Sequence, residues 1–182
     1  WGGTDKIYNF SDPAGYRINH LRRLFDLLGI HQAFFVGSSA GGGTILRAAV
    51  LEPPPFQIRK MVTICGNASV FKTNSQADLD NYAPSLENMK KIVTLLYHDS
   101  KWQTEQNIRE RYDSSIIPGA WEALSAARLR SPAHQIRSTT DAFVKKLSQL
   151  RIPLLIMSCE HDPLNQKDWD VQFQEIVPGS EV

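Results

Sequence analysis

The stretch Phe34-Phe35-Val36-Gly37-Ser38-Ser39-Ala40-Gly41-Gly42-Gly43 decides how the rest of the chain is read. An apolar run, Ala33 to Val36, ends in Gly-x-Ser-x-Gly, and a helical pattern runs from Thr44 to about Leu51. Strand, sharp turn and helix, with Ser39 at the apex, is the context that presents a serine as a nucleophile. The glycines on either side of Ser39 let the strand and helix backbones pass close together. A strained turn aims the hydroxyl outward. The N–H of Ala40, at the start of the new helix, is placed to meet developing negative charge as an oxyanion donor. A glycine-rich turn that binds phosphate, or only connects, is the other reading of these residues; the flanking strand and helix favour the nucleophile. Ser38 fits that role worse, because Val36 and Ala40 would then stand where glycines are needed.

Helix and strand alternate on both sides of this turn. Ile18, Leu21, Leu24, Phe25 and Leu28 recur at helical spacing within Tyr16 to Leu28, between Asp12-Pro13 as a start and Gly29 as a stop. Gln32 to Val36 reads as a short buried strand, and Pro53-Pro54-Pro55 ends the helix that follows the turn. Arg59 to Cys65 is a second strand. No hairpin signal separates the two, which predicts a parallel sheet. From about Phe71 to Pro132 the chain turns helical and more polar, with helices expected at Leu86 to Tyr97, Thr104 to Tyr112 and Ala120 to Arg128. Such an insertion between parallel strands predicts a cap over the carboxyl edge of the sheet, where ligands bind in open α/β folds. The sheet pattern resumes with a helix at Asp141 to Leu150, a buried strand at Ile152 to Met157 and a helix at Lys167 to Ile176; Pro178-Gly179-Ser180 approaches another strand. The expected domains are thus 1–70, first part of the core; 71–132, cap; and 133–182, second part of the core.

Composition narrows the classes. The 182 residues can form one domain with a sizeable core, or a core with a small insertion. Twenty Lys and Arg against 19 Asp and Glu leave a formal net charge of +1, which gives no electrostatic case for nucleic acid or an anionic membrane. No apolar run approaches a membrane span. The opening, Trp1-Gly2-Gly3-Thr4-Asp5, has neither the basic start nor the apolar stretch of a signal peptide, nor an initiator Met. Cys65 and Cys159 each end an apolar run and read as two reduced, buried thiols. They define no disulfide framework and no metal site, which points to a reducing compartment, the cytoplasm.

After the strand that ends at Met157 comes Ser158-Cys159-Glu160-His161-Asp162-Pro163. An acid just past a parallel strand lies on the same edge as the turn serine. There it can accept a hydrogen bond from a histidine Nδ1, fixing the tautomer and stabilising the imidazolium. Asp162 is the first choice and Glu160 the second; the other reading of Asp162 is a cap on the following turn.

Gly37-Ser38-Ser39-Ala40-Gly41-Gly42 and Glu160-His161-Asp162, in the order serine then acid, resemble the α/β-hydrolase superfamily. The resemblance implies an α/β-hydrolase fold with a mostly parallel, partial sheet and a helical cap insertion. It also implies a catalytic histidine after a last strand. His20, His31, His98 and His134 lie in other segments, and His161 shares the acid's turn. Trp1-Gly2-Gly3-Thr4 resembles the family's loop after an earlier strand, which supplies the second oxyanion donor. The chain accordingly reads as an interior piece of a longer protein, expected to be inactive by itself.

The cap narrows the resemblance. Pro84-Ser85-Leu86-Glu87-Asn88-Met89, Tyr97-His98-Asp99-Ser100, Arg111-Tyr112-Asp113-Ser114-Ser115-Ile116 and Pro118-Gly119 are similar to the meta-cleavage-product hydrolases. These cleave a carbon–carbon bond in 2-hydroxy-6-oxo-dienoates from aromatic-ring degradation. The resemblance implies that Arg111 meets the substrate carboxylate, a pairing that a bidentate, permanently charged guanidinium suits. By itself Arg111 reads as a surface charge paired with Glu110 or Glu105. The subgroup usually carries Asn before the nucleophile, near the bound substrate, and Met after it. This chain has Ser38 and Ala40 there, and the aromatic residue that the subgroup often has between the cap and the last helix is not apparent around Thr139–Phe143. The implied partner is a small-molecule substrate, with neither metal nor organic cofactor required; a homo-oligomer stays open. The other expected activities are a carboxylesterase using the same machinery, or a non-catalytic small-molecule receptor on the same fold.

Overall fold

A computed structural model of the chain describes residues 4–8, 12–126 and 140–182. The expected helical residues 127–128, the cap boundary at Pro132, His134, Thr139 and the opening residues 1–3 lie outside the described residues. The chain forms two compact units. One contains residues 14–72, 165–182 and the described part of 137–160; the other contains 73–126, 161–164 and the described residues of 1–13.

The first unit is built on a three-stranded parallel sheet in the order β1 (Gln32–Ser38), β2 (Gln57–Ile64), β3 (Leu154–Met157). α1 (Pro13–Leu28) enters with proline at its first position, where the missing N–H costs nothing, and ends at Gly29 with φ 66°. Its Phe25 meets Phe35 of β1 and Phe56, with ring centroids 5.0–5.8 Å apart across the trio. α2 (Ala40–Ala49) follows β1 directly. It begins four residues before the helical pattern does, because three successive glycines hide a first turn that packing fixes. α7 (Thr140–Leu147) precedes β3 and α8 (Trp169–Ile176) follows it. Leu46, Met61, Leu147, Ile156, Phe173 and Val177 are fully buried at the centre of this core. A parallel bridge of Leu155 with Glu181 adds the approach of a further strand beside β3.

Two details depart from the expected strands. β3 starts at Leu154 because Pro153 has no N–H to give the ladder, although its carbonyl still accepts from Met61 N–H at 2.9 Å. A register shift between Ala33 and Phe34 leaves Arg59 unpaired as a bulge, so Arg59 and Lys60 are both exposed between buried Ile58 and Met61. The strands are also half-exposed rather than buried. Phe34, Val36, Leu155 and Met157 alternate with buried neighbours and face solvent, with Val36 70% exposed. Helices pack on one face of the sheet; on the other, Phe34 and Val36 lie exposed beside the half-buried Val62 and Ile64 of β2.

The second unit is helical: α3 (Gln76–Asp80), α4 (Leu86–Leu96), a 3₁₀ turn at Ser100–Trp102, α5 (Glu105–Ser115) and α6 (Ala120–Ala126). α3 and the 3₁₀ turn carry too few residues to show a period. Side chains cap two of the other starts. Ser85 Oγ accepts from Asn88 N–H at 3.0 Å and Thr104 Oγ1 from Asn107 N–H at 3.1 Å. A separate core of Tyr82, Met89, Ile92, Val93 and Ile108 holds these helices together. Trp121 Nε1–H donates to the Tyr82 carbonyl at 3.1 Å. Residues 161–164 join this unit through Thr73, whose hydroxyl donates to the Pro163 carbonyl at 2.6 Å and whose N–H donates to that of Leu164 at 2.9 Å. No described helix is long and apolar enough to cross a membrane.

Candidate active site

Ser39 stands between the last residue of β1 and the first of α2, with φ 48° and ψ −113°. A non-glycine residue adopts that backbone only when its surroundings impose it, and such strain gathers at functional sites. Two hydrogen bonds hold the turn: Ser39 N–H donates to Ile64 C=O at 2.8 Å, and Gly43 N–H to Ser39 C=O at 3.0 Å. The Ser39 hydroxyl is not used to cap α2, and the residue is exposed, as are Ser38 and Ala40. Ala40, as the first residue of α2, has an N–H without an acceptor inside the helix.

The glycine requirement differs in one position from the motif. A Cβ on Gly37 would meet Gly42 N at 2.5 Å, and one on Gly42 would meet Gly37 O at 2.9 Å. A Cβ on Gly41 would meet nothing within 4 Å. The close strand–helix crossing thus rests on Gly37 and Gly42, and Gly41 is dispensable to it. A third contributor is Gly66, where a Cβ would meet Ser39 O at 2.7 Å. Gly66 belongs to a tight loop after β2 in which Cys65, Ala68 and Ser69 all have positive φ. Arg47 of α2 donates to the Ala68 carbonyl at 3.0 Å. The buried Asn67 donates from Nδ2 to Asn165 Oδ1 at 2.8 Å, and Asn165 Nδ2 donates to Cys65 C=O at 3.3 Å. Gly66, Asn67 and Asn165 carry no motif. A buried asparagine in a strand-ending loop, separated from its partner by 98 residues, has no sequence signal to find it by.

Asp162 lies in the other unit and is half-buried. Its Oδ1 accepts from Leu164 N–H at 2.8 Å, so it does cap the turn that follows. This bond also fixes the carboxylate's orientation. Glu160 is exposed in the loop after β3. His161 stacks on His98 with centroids 3.7 Å apart. Both histidines line an open groove of about 660 Å³ with Lys90, Lys91, Thr94 and Pro163; neither Asp162 nor Arg111 is in its lining. Glu87 also lines the groove, and the hydrogen bond from Lys91 holds that carboxyl below its ordinary range.

Arg111 is half-buried on α5, and its partner is neither Glu105 nor Glu110. Its Nη2 donates to Tyr97 Oη at 2.6 Å, and the guanidinium lies 5.1 Å from the centre of the Tyr97 ring. A guanidinium held by a neutral partner keeps its charge available for a carboxylate. The thiols of Cys65 and Cys159 are not buried as expected: Cys65 is half-buried and Cys159 exposed, each beyond the end of its strand. Among the described residues no group of three or more His, Cys, Asp or Glu could hold a metal ion.

No protein-family model matches the chain. A 2-hydroxymuconate semialdehyde hydrolase of Pseudomonas putida is 32% identical over 110 residues, 60% of this chain and 38% of that protein. A 2-hydroxy-6-oxo-2,4-heptadienoate hydrolase of a Pseudomonas putida strain is 22% identical over 183 residues, the whole of this chain and 65% of that protein. The chain therefore spans from about two-fifths to somewhat under two-thirds of these relatives. Among solved structures, the meta-cleavage product hydrolase CumD of Pseudomonas fluorescens IP01 superposes on all of this chain and 66% of its own, with a TM-score of 0.79 at 23% identity, a likeness of fold. The strained serine turn, the parallel sheet behind it and these likenesses agree: the chain has the α/β-hydrolase fold, and the relatives it is similar to are named as hydrolases of 2-hydroxymuconate semialdehyde and of 2-hydroxy-6-oxo-2,4-heptadienoate.

Proposed function

We propose that this chain carries the nucleophile and the acid of a serine-dependent hydrolase that cleaves a carbon–carbon bond in a 2-hydroxy-6-oxo-dienoate. The observation that carries the reading is the backbone of Ser39, strained and exposed at the strand–helix junction with its hydroxyl not spent on a cap. The names of the relatives supply the substrate class. In this reading residues 71–132 are a cap inserted in the sequence between core parts 1–70 and 133–182, and Ser38, last in β1, contacts substrate.

In this reading the dienoate first ketonises, which provides a carbonyl to take up the electron pair when the bond breaks. Ser39 Oγ, or a water, attacks the other carbonyl as a histidine takes its proton, and Asp162 steadies the imidazolium. The Ala40 N–H donates to the oxyanion. The bond then breaks as its electron pair passes into the 2-oxo group, and the enolate oxygen takes the proton to give a shorter 2-hydroxy-dienoate. Where Ser39 attacked, water hydrolyses the acyl-serine and releases the carboxylic acid. His20 is on α1 and His31 precedes β1, at the strand end away from Ser39, so neither acts as the base. The substrate is a small molecule, and we place the reaction in the cytoplasm, where two unbridged thiols are the ordinary state.

The test is steady-state turnover of a 2-hydroxy-6-oxo-dienoate by the protein that bears this chain. Ser39→Ala is expected to lower kcat by about 10⁴-fold or more, and Asp162→Asn by about 10²–10⁴-fold. Undiminished turnover by Ser39→Ala would overturn the nucleophile. Turnover of neutral esters but not of dienoates would replace the substrate class with that of a carboxylesterase.

A further inference from the structure

The ends of β2 and β3 bring two sulfurs together. Cys65 follows β2 directly and donates its N–H to the Met157 carbonyl at 2.8 Å, so its backbone sits in register beside the end of β3. Cys159 is two residues beyond Met157. The Cys65 thiol donates to Cys159 Sγ at 2.8 Å. Neighbouring strands lie about 4.8 Å apart, so the loops that leave β2 and β3 start within the Cα separation of about 4.4–6.8 Å that a disulfide accepts. Cys65 is also held in place, because its carbonyl accepts from Asn165 and its φ of 50° fixes the turn. Cys159 is exposed and open to a reagent, whereas Cys65 is half-buried behind it.

We propose that Cys65 and Cys159 are a redox-active dithiol that closes reversibly to an intramolecular disulfide in exchange with a low-molecular-weight disulfide. The exposed Cys159 thiolate attacks one sulfur of the reagent and expels the first small thiol, leaving a mixed disulfide. The Cys65 thiolate then attacks Cys159 Sγ and expels the second. One S–S bond forms in the protein and one breaks in the reagent. The protein loses two hydrogens and two electrons, and the reagent gains them as two thiols. The bond ties together the loops after β2 and β3. One contains Gly66, packed under Ser39; the other runs on to Asp162 three residues later.

Oxidised glutathione is the probe. After equilibration of the full chain with it and removal of the excess, both thiols are expected to stop reacting with a thiol reagent, and the intact mass to fall by two hydrogens. Trypsin is expected to release peptides 61–72 and 152–167 as one linked species, which dithiothreitol separates. In Cys65→Ser, Cys159 is expected to stop at the mixed disulfide, with the mass of one glutathionyl group added. Should that variant fail to fold, the peptide map of the unaltered chain decides alone. Two thiols still titrating, a glutathionyl group retained on each cysteine, or a bond between two chains would each overturn the proposal.

Discussion

At Ser39 the chain spends backbone strain to hold a hydroxyl in the open, and close packing of glycines is what sustains that strain. The two glycines of the motif should therefore respond differently. Gly37→Ala places a Cβ 2.5 Å from Gly42 N, with backbone on the far side that cannot yield. We expect a loss of about 3 kcal/mol or more, the upper part of the overpacking range, measured by urea denaturation. Gly41→Ala enters open space inside α2 and should be neutral or stabilising by up to about 1 kcal/mol. Equal costs at the two positions would refute this account of the turn. Thr63, next to last in β2, poses the converse case. It is fully buried, and its Oγ1 has no hydrogen-bond partner among the described residues. Thr63→Val keeps the shape and removes the unpaired hydroxyl, and should raise stability by about 1–2 kcal/mol in the same measurement.

At the scale of elements, α5 and the end of α4 set the guanidinium of Arg111 against Tyr97. A structural role and a substrate role separate cleanly here. Arg111→Ala should lower kcat/KM for dienoates by about 2–4 kcal/mol, the usual loss on truncating one partner of a buried charge pair. It should leave neutral esters nearly untouched. An equal loss on both substrates, with a lowered melting temperature, would make Arg111 a strut for Tyr97. Thr104, expected as the first helical residue, is instead the cap of α5, yet the helices α4 and α5 in the same unit were legible beforehand. α3, the 3₁₀ turn and the bulge at Arg59 were not, since each is too short or too irregular to print a period on the sequence.

For the molecule as a whole, the consequential surface is the partly exposed face of the sheet. Parallel sheets are ordinarily covered on both faces, and here Phe34, Val36, Leu155 and Met157 form an apolar surface, with β1 at the sheet's edge. The 182-residue chain should therefore self-associate and bind an apolar dye. Val36→Lys, at a site 70% exposed, should reduce both while changing stability by no more than about 0.5 kcal/mol. Light scattering against concentration and a thermal melt check this. Unchanged association in Val36→Lys would show that the face is not what drives it.

The sequence by itself determined the strand–turn–helix around Ser39 and the parallel alternation of elements. Each of these follows from contacts within a few residues, or from the spacing of apolar side chains along one element. Only the tertiary structure decided which glycines the turn needs, since Gly37, Gly42 and Gly66 meet across three segments. It alone joined Asn67 to Asn165 and brought Cys65 beside Cys159, 94 residues on, turning two apparently buried thiols into an accessible pair. It also exposed the outer residues of strands whose apolar runs read as buried. Apolar character tells which side chains would gain from burial; whether a neighbour is there to bury them depends on the packing of distant segments.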